Sequence, residues 1–157
     1  VIFATVGTQL PFPRLIAALD ALAGDLDEPI VAQTADPGAA PPRHLDARAA
    51  MDPATYDRLF AAARVVVAHA GIGTILSAQR HGKPLVIVPR RLALNEHRND
   101  HQLATARHVS TLPGIHVAWE VTDLADLLTR ADLAPASTAL SPTRDRLIAR
   151  LRAFIDG

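Results

Sequence analysis

Apolar and polar positions alternate along this chain in blocks, and the blocks change period. Val1 to Val6 is apolar and uncharged except for Thr5, as a strand covered on both faces would be. Leu15, Leu19, Leu22 and Leu26 then recur at spacings of four, three and four, the stripe of an amphipathic helix, with Pro11 and Pro13 suited to its start. Pro29 to Thr34 reads as a second strand. His44 to Met51 has a poor pattern and offers at most a short third strand. Asp52-Pro53 has the form of a cap and first helical position, and Tyr56, Leu59, Phe60 and Ala63 share one helical face. Val65 to Val67 is an uncharged β-branched run, as a strand covered on both faces would be. It runs through His69, Ala70, Gly71, Ile72 and Gly73 to Thr74 and a helix that stops at Gly82, before Pro84. Leu85 to Val88 is the next buried strand.

Arg90 to Asp100 is polar, and the pattern predicts a helix from near Asn99 through Leu103 and Ala106. Ile115 to Trp119 reads as a strand and Thr122 to Thr129 as a helix capped by Thr122. A final amphipathic helix opens at Ser141-Pro142 and carries Leu147, Ile148, Leu151, Phe154 and Ile155 on one face. Strands alternating with helices predict an α/β fold, a doubly wound, Rossmann-like parallel sheet. In that order the first and fourth strands are neighbours at the point where the winding reverses, and ligands bind beyond their carboxyl ends. The turn Gly7-Thr8-Gln9 and the turn His69 to Thr74 would therefore meet.

Composition narrows the chemistry. The 157 residues fit one domain with a real core. Net charge is zero, with 16 residues of each sign, which argues against a bulk electrostatic partner such as duplex nucleic acid. There is no cysteine, so disulfides, cysteine-ligated zinc and a thiol nucleophile are excluded. No apolar run approaches the roughly 18–20 residues that span a bilayer, and the opening residues lack the basic flank of a signal peptide.

Backbone N–H groups of Gly7, Thr8, Gly73 and Thr74, with the threonine hydroxyls, could together hold a diphosphate, although glycines after strands often do no more than turn the chain. The dinucleotide fingerprint is absent, since Leu76 stands where its third glycine would fall, and Gly82-Lys83 leads to Pro84 instead of the Ser or Thr of a P-loop. His69 could satisfy backbone groups or face a ligand phosphate. Arg90 and Arg91 read as a solvated pair or a phosphate contact, the former preferred. His97 and His101, four apart with Asp100 nearby, would share a helical face at a spacing that could bind zinc, but the H-E-x-x-H order is missing. The stretch Asn95 to Gln102 could equally supply hydrogen bonds to a sugar.

Three ordered motifs carry a resemblance: His69 to Thr74, Gly82 to Pro89, and Asn99-Asp100-His101-Gln102. They resemble the C-terminal, donor-binding half of family 28 GT-B glycosyltransferases. That family includes the catalytic subunit of two-chain UDP-N-acetylglucosamine transferases, whose start Phe3 to Thr8 is similar to, and two-chain exopolysaccharide transferases. The resemblance implies one lobe of a GT-B enzyme, residues 1–157 forming a single sugar-nucleotide-binding domain. It implies that Gly7, Thr8 and Gln9, with His69, Ala70, Gly71, Gly73 and Thr74, hold the diphosphate of a UDP-sugar, and that Asn99, His101 and Gln102 contact the sugar. Ser77 stands where the family commonly has a ribose-binding glutamate. With no acidic metal-binding pair in view, the implied donor is used without metal or other cofactor. The implied partner is a membrane-associated subunit that holds a lipid-linked or polysaccharide acceptor, leaving this chain cytoplasmic and peripheral at the membrane. A non-catalytic nucleotide-sugar sensor and a metal hydrolase built on His97 and His101 are the alternatives.

Overall fold

The computed structural model describes residues 1–8 and 10–137, so Gln9 and the amphipathic stretch after Ser141 lie outside the described residues. Six strands form one parallel sheet: β1 (Ile2–Thr5), β2 (Ile30–Gln33), β3 (Asp46–Arg48), β4 (Val65–His69), β5 (Leu85–Val88) and β6 (Ile115–Val117). Their order is β3-β2-β1-β4-β5-β6, with β1 and β4 paired in register from Ile2 opposite Val65 to Thr5 opposite Ala68. This is the doubly wound order, and the winding reverses between β1 and β4.

The helices follow from the strands' two-sided burial. Alternate residues of one strand leave by opposite faces. Ile2 and Ala4 join Phe12, Leu15 and Leu19 of the α1 side (α1, Pro13–Asp25) and Leu124 and Leu128 of α5 (Leu124–Thr129). Phe3 points the other way, to Phe60 of α2 (Pro53–Ala62), Ile75 and Ala78 of α3 (Ile72–His81), and Ala106 and Val109 of α4 (His101–Val109). Burying each of the larger of these side chains, such as Ile2, Phe3, Leu15 or Phe60, stabilises the fold by roughly 1.5–3 kcal/mol. Every residue of β1 and β5 is buried. Among the described residues no helix is long and apolar enough to cross a membrane.

The weakly patterned stretch does hold a strand. β3 is an edge strand whose Asp46 and Arg48 are exposed, charges that discourage further pairing. Pairing with β2 and the Asp20 carboxylate, which accepts the N–H groups of Arg43, His44 and Leu45, set it in place, not hydrophobic alternation. Three helix starts differ from the sequence pattern. α3 opens at Ile72, with Gly71 as its N-cap, so Gly73 and Thr74 are in its first turn. α4 opens at His101, so His97 precedes the helix and the two histidines do not share a helical face. Thr122 is not the cap of α5: a 3-10 turn, Val121–Asp123, comes first, closed by reciprocal bonds between Glu120 and Asp123. The helix end at Gly82 is as the pattern predicts, with φ at 63° and the left-handed geometry that suits glycine.

Candidate functional site

The carboxyl ends of β1 and β4 bring both glycine turns to one imidazole. A Cβ on Gly7 would lie 3.2 Å from His69 Nε2, and one on Gly71 would lie 2.5 Å from His69 Cε1. Gly7 also has φ at 83°, a conformation other residues adopt at a cost. The ring of His69 fits between the turns only because neither carries a side chain. Gly73 differs: a Cβ there would meet nothing within 4 Å, so the protein's own packing does not require that glycine.

Beside the imidazole stands the first turn of α3. The N–H of Ile75 is the first to reach back within the helix, to Gly71 O at 3.2 Å. The N–H groups of Ile72, Gly73 and Thr74 precede it, at the positive end of the helix dipole. No acidic side chain occupies that turn. The N–H groups of Ala70 and Gly71 are already taken, by Gln102 Oε1 and by His69 O.

A cavity of about 330 Å³ opens next to Gly7 and Thr8. Met51, Pro53 and Tyr56 form its apolar side, and Thr5, Gln33 and Ala49 the rest. The Thr5 hydroxyl donates to Gln33 Oε1 at 2.8 Å, and Gln33 Nε2 donates to Ala49 O at 3.2 Å, which fixes the polar wall. Burial pushes the Tyr56 hydroxyl above the usual phenol range, against hydrogen bonds to Thr5 and Thr74 that pull the other way. A larger groove of about 570 Å³ runs between α1 and the loop of residues 36–43, but neither glycine turn lines it.

Arg90 is not solvated. It is 2% exposed, and its guanidinium donates to Val6 O at 2.9 Å, Leu10 O at 2.6 Å and Pro11 O at 2.6 Å while lying over the Phe12 ring at 4.8 Å. It therefore clasps both ends of the turn that contains Gly7 and Thr8. Burial lowers its pKa, with Glu96 acting against that shift. Glu96, read in the sequence with the sugar-binding polar stretch, is instead held in a two-bond pair by Arg14 of α1, at 2.7 and 2.8 Å, and accepts the N–H of Arg91.

Two other polar residues of this stretch hold backbone N–H groups. Asn99 Oδ1 accepts the N–H of His101 at 3.0 Å, and Asp100 Oδ1 accepts that of Leu92 at 2.9 Å. Gln102 is 8% exposed and its amide bonds to His69, Ala70 and Arg90. His69 is pushed down to about 4, by burial first and then by Arg90 and His97, so it is neutral at pH 7. His97 is lowered too, chiefly by burial. Among the described residues no group of three or more His, Asp or Glu side chains is placed to hold a metal ion.

The doubly wound sheet, with two glycine turns and a helix N-terminus converging at its switch point, is that of the C-terminal lobe of GT-B glycosyltransferases. More particularly, the chain belongs to the glycosyltransferase family 28 C-terminal domain, which residues 1–127 match. No curated protein sequence matches the chain. Solved structures share its fold. The glycosyltransferase of kitacinnamycin is 20% identical with a TM-score of 0.62, covering 99% of this chain and 39% of that one. SsfS6 of Streptomyces sp. SF2575, solved with thymidine diphosphate, is 23% identical with a TM-score of 0.57, covering 99% and 36%. ALG13, solved by NMR, is 17% identical with a TM-score of 0.60, covering 94% of each chain. The chain thus spans well under half the length of the first two and nearly all of the third.

Proposed function

We propose that this chain is the donor-binding lobe of a glycosyltransferase that uses a UDP-hexose, UDP-N-acetylglucosamine foremost. The observation that carries the reading is the convergence of Gly7, Gly71 and the first turn of α3 on the His69 imidazole. The diphosphate is held by the backbone N–H groups of Ile72, Gly73 and Thr74 and by the ring N–H of His69, with Thr8 at the rim. The nucleoside enters the cavity between Met51, Tyr56 and Gly7, whose size suits a pyrimidine nucleoside. SsfS6, solved with thymidine diphosphate on the same fold, supports a pyrimidine nucleotide. The sugar lies toward Asn99 and His101, at the amino end of α4.

In transfer, the bond from the anomeric carbon to the diphosphate breaks and negative charge grows on the departing phosphate oxygen. Fixed N–H donors and the α3 dipole stabilise that charge without reorganising. The acceptor, a lipid-linked or polysaccharide hydroxyl, is presented by a membrane-associated partner lobe. ALG13, 94% of which is matched, has this lobe and little beyond it.

Calorimetric titration with UDP, UDP-N-acetylglucosamine, UDP-glucose and UDP-galactose, repeated on Gly73→Asp, tests this. Open space receives the new side chain, so the fold survives, but a carboxylate then stands where the diphosphate belongs. Saturable binding of one UDP-sugar that the substitution abolishes is the expected result. Binding that Gly73→Asp leaves untouched would place the donor elsewhere, and no binding of any of the four would remove the donor-site reading.

A further inference from the structure

Gln102 joins three segments through one amide. Its Oε1 accepts the N–H of Arg90 at 3.0 Å and that of Ala70 at 3.3 Å. Two donors meeting on one atom identify that atom as the oxygen. The nitrogen of the amide therefore faces His69 Nδ1, at 3.0 Å, and donates to it. A nitrogen that accepts holds its lone pair, so the ring proton sits on Nε2. That is the atom nearest Gly7, on the side where the two glycine turns open.

We infer that Gln102 is a positioning residue, which fixes His69 as the Nε2–H tautomer so that it presents a proton to the donor diphosphate. The diphosphate part rests on the donor-site reading above; the tautomer part does not. The surroundings agree. Arg90, at the end of β5, and His97, in the segment after it, are the charged and titratable groups acting on His69. Arg98 and His101 act in turn on His97. Among the described residues, the β1 turn and the first turn of α3 bring Gly7, Thr8, Gly71, Ile72, Gly73 and Thr74, none of them charged. A neutral ring with a free lone pair could present either nitrogen's proton to a ligand, and the amide removes that choice.

Gln102→Glu separates this role from mere packing. A carboxylate of nearly the same shape still accepts the N–H groups of Ala70 and Arg90, but it has no proton to give Nδ1. The ring proton moves to Nδ1, and the adjacent negative charge raises the histidine's pKa. Nitrogen-15 NMR of His69 in the full chain reads both effects without any ligand. The expected result is a protonated Nε2 in the wild type with no titration between about pH 5.5 and 8, and in Gln102→Glu a protonated Nδ1 with titration inside that range. A wild-type ring protonated at Nδ1 overturns the proposal even if the variant fails to fold, and so does a variant that keeps the wild-type tautomer. UDP-N-acetylglucosamine affinity is the second reading. It should be flat with pH in the wild type. In Gln102→Glu it should be about ten- to a hundred-fold weaker near pH 8 and recover as the pH falls and the ring gains its second proton. A uniform loss at every pH would mean that the amide only packs. If the wild type binds no UDP-N-acetylglucosamine, the phosphate-directed part falls while the NMR result still decides the tautomer.

Discussion

At the scale of single residues, glycines that look alike in the sequence have different reasons for being glycine. Gly71 yields to His69, whereas Gly73 faces open space within the first turn of a helix, where glycine is a poor choice for stability. Gly73→Ala should therefore stabilise the chain by about 0.5–1 kcal/mol in a urea titration while weakening UDP binding, because the methyl group occupies ligand space. Gly71→Ala should lose both, since its Cβ would force the imidazole away. If Gly73→Ala bound UDP as well as the wild type, that glycine would have no ligand-facing role. His69 makes a second case. Its pKa is held at about 4 in the fold against an ordinary 6.5, so the unfolded chain binds the extra proton first as the pH falls. The stabilising contribution is whole above about pH 6.5 and is lost on the way down to about pH 4, at most about 3 kcal/mol. Denaturant titrations at a series of pH values should show this acid loss in the wild type and a shallower one in His69→Gln. The sequence displayed His69 and the glycines plainly, because glycine at a strand exit has few explanations. Arg90 was hidden: an arginine after a strand reads as solvated, and only the fold brings the carbonyls of Val6, Leu10 and Pro11 to it.

Among the elements, long periodic segments announced themselves and short ones did not. The Leu15 to Leu26 stripe and the Val65 to Val67 run are set by burial, which periodicity records directly. β3 and the 3-10 turn before α5 are set by partners distant or local, Asp20 and β2 in one case and the Glu120–Asp123 pair in the other, which no hydrophobic period encodes. The polar segment between β5 and α4 was legible as functional in location but not in detail. Its Glu96 is tied to α1 through Arg14, and its neighbour Arg90 ties β5 to the β1 turn. Two elements of the site are therefore held by one guanidinium. Arg90→Lys keeps the charge but offers a single nitrogen, which cannot reach carbonyls on both sides of the turn. Some of the buried carbonyls would lose their partner, and stability should fall by about 2–4 kcal/mol, with UDP affinity falling further than in a control of equal stability loss such as Val66→Ala. Equal affinity losses in the two variants would show that Arg90 supports the core in general and not the turn.

For the whole molecule, the question is how much of a transfer reaction this lobe can carry. The proposed donor site offers N–H donors and one imidazole, a set suited to holding an anion and stabilising a leaving group. Moving a sugar to a hydroxyl also needs a group that takes the hydroxyl's proton. His69 is unsuited to that: its pKa is about 4, and Nδ1 already accepts from Gln102. A base that weak removes a hydroxyl proton poorly near neutral pH. On the donor-lobe reading proposed above, that base is contributed by the acceptor-binding lobe that closes over the sheet's carboxyl end. Leu10, Leu92 and Leu94, exposed on the turns after β1 and β5, stand at that end. The proposal thus divides the labour between lobes: donor binding here, proton removal and acceptor binding opposite. The purified chain should bind its UDP-sugar and yet release UDP from it no faster than buffer does, with or without a simple sugar acceptor, and should turn over only when an acceptor lobe is added. Coupled-enzyme detection of free UDP measures this. Steady turnover by the chain alone would return the base to this lobe. Donor binding that stays silent with every acceptor lobe supplied would instead make the chain a nucleotide-sugar sensor, a reading in which Ser77, in place of the ribose-binding glutamate, would be a mark of lost catalysis.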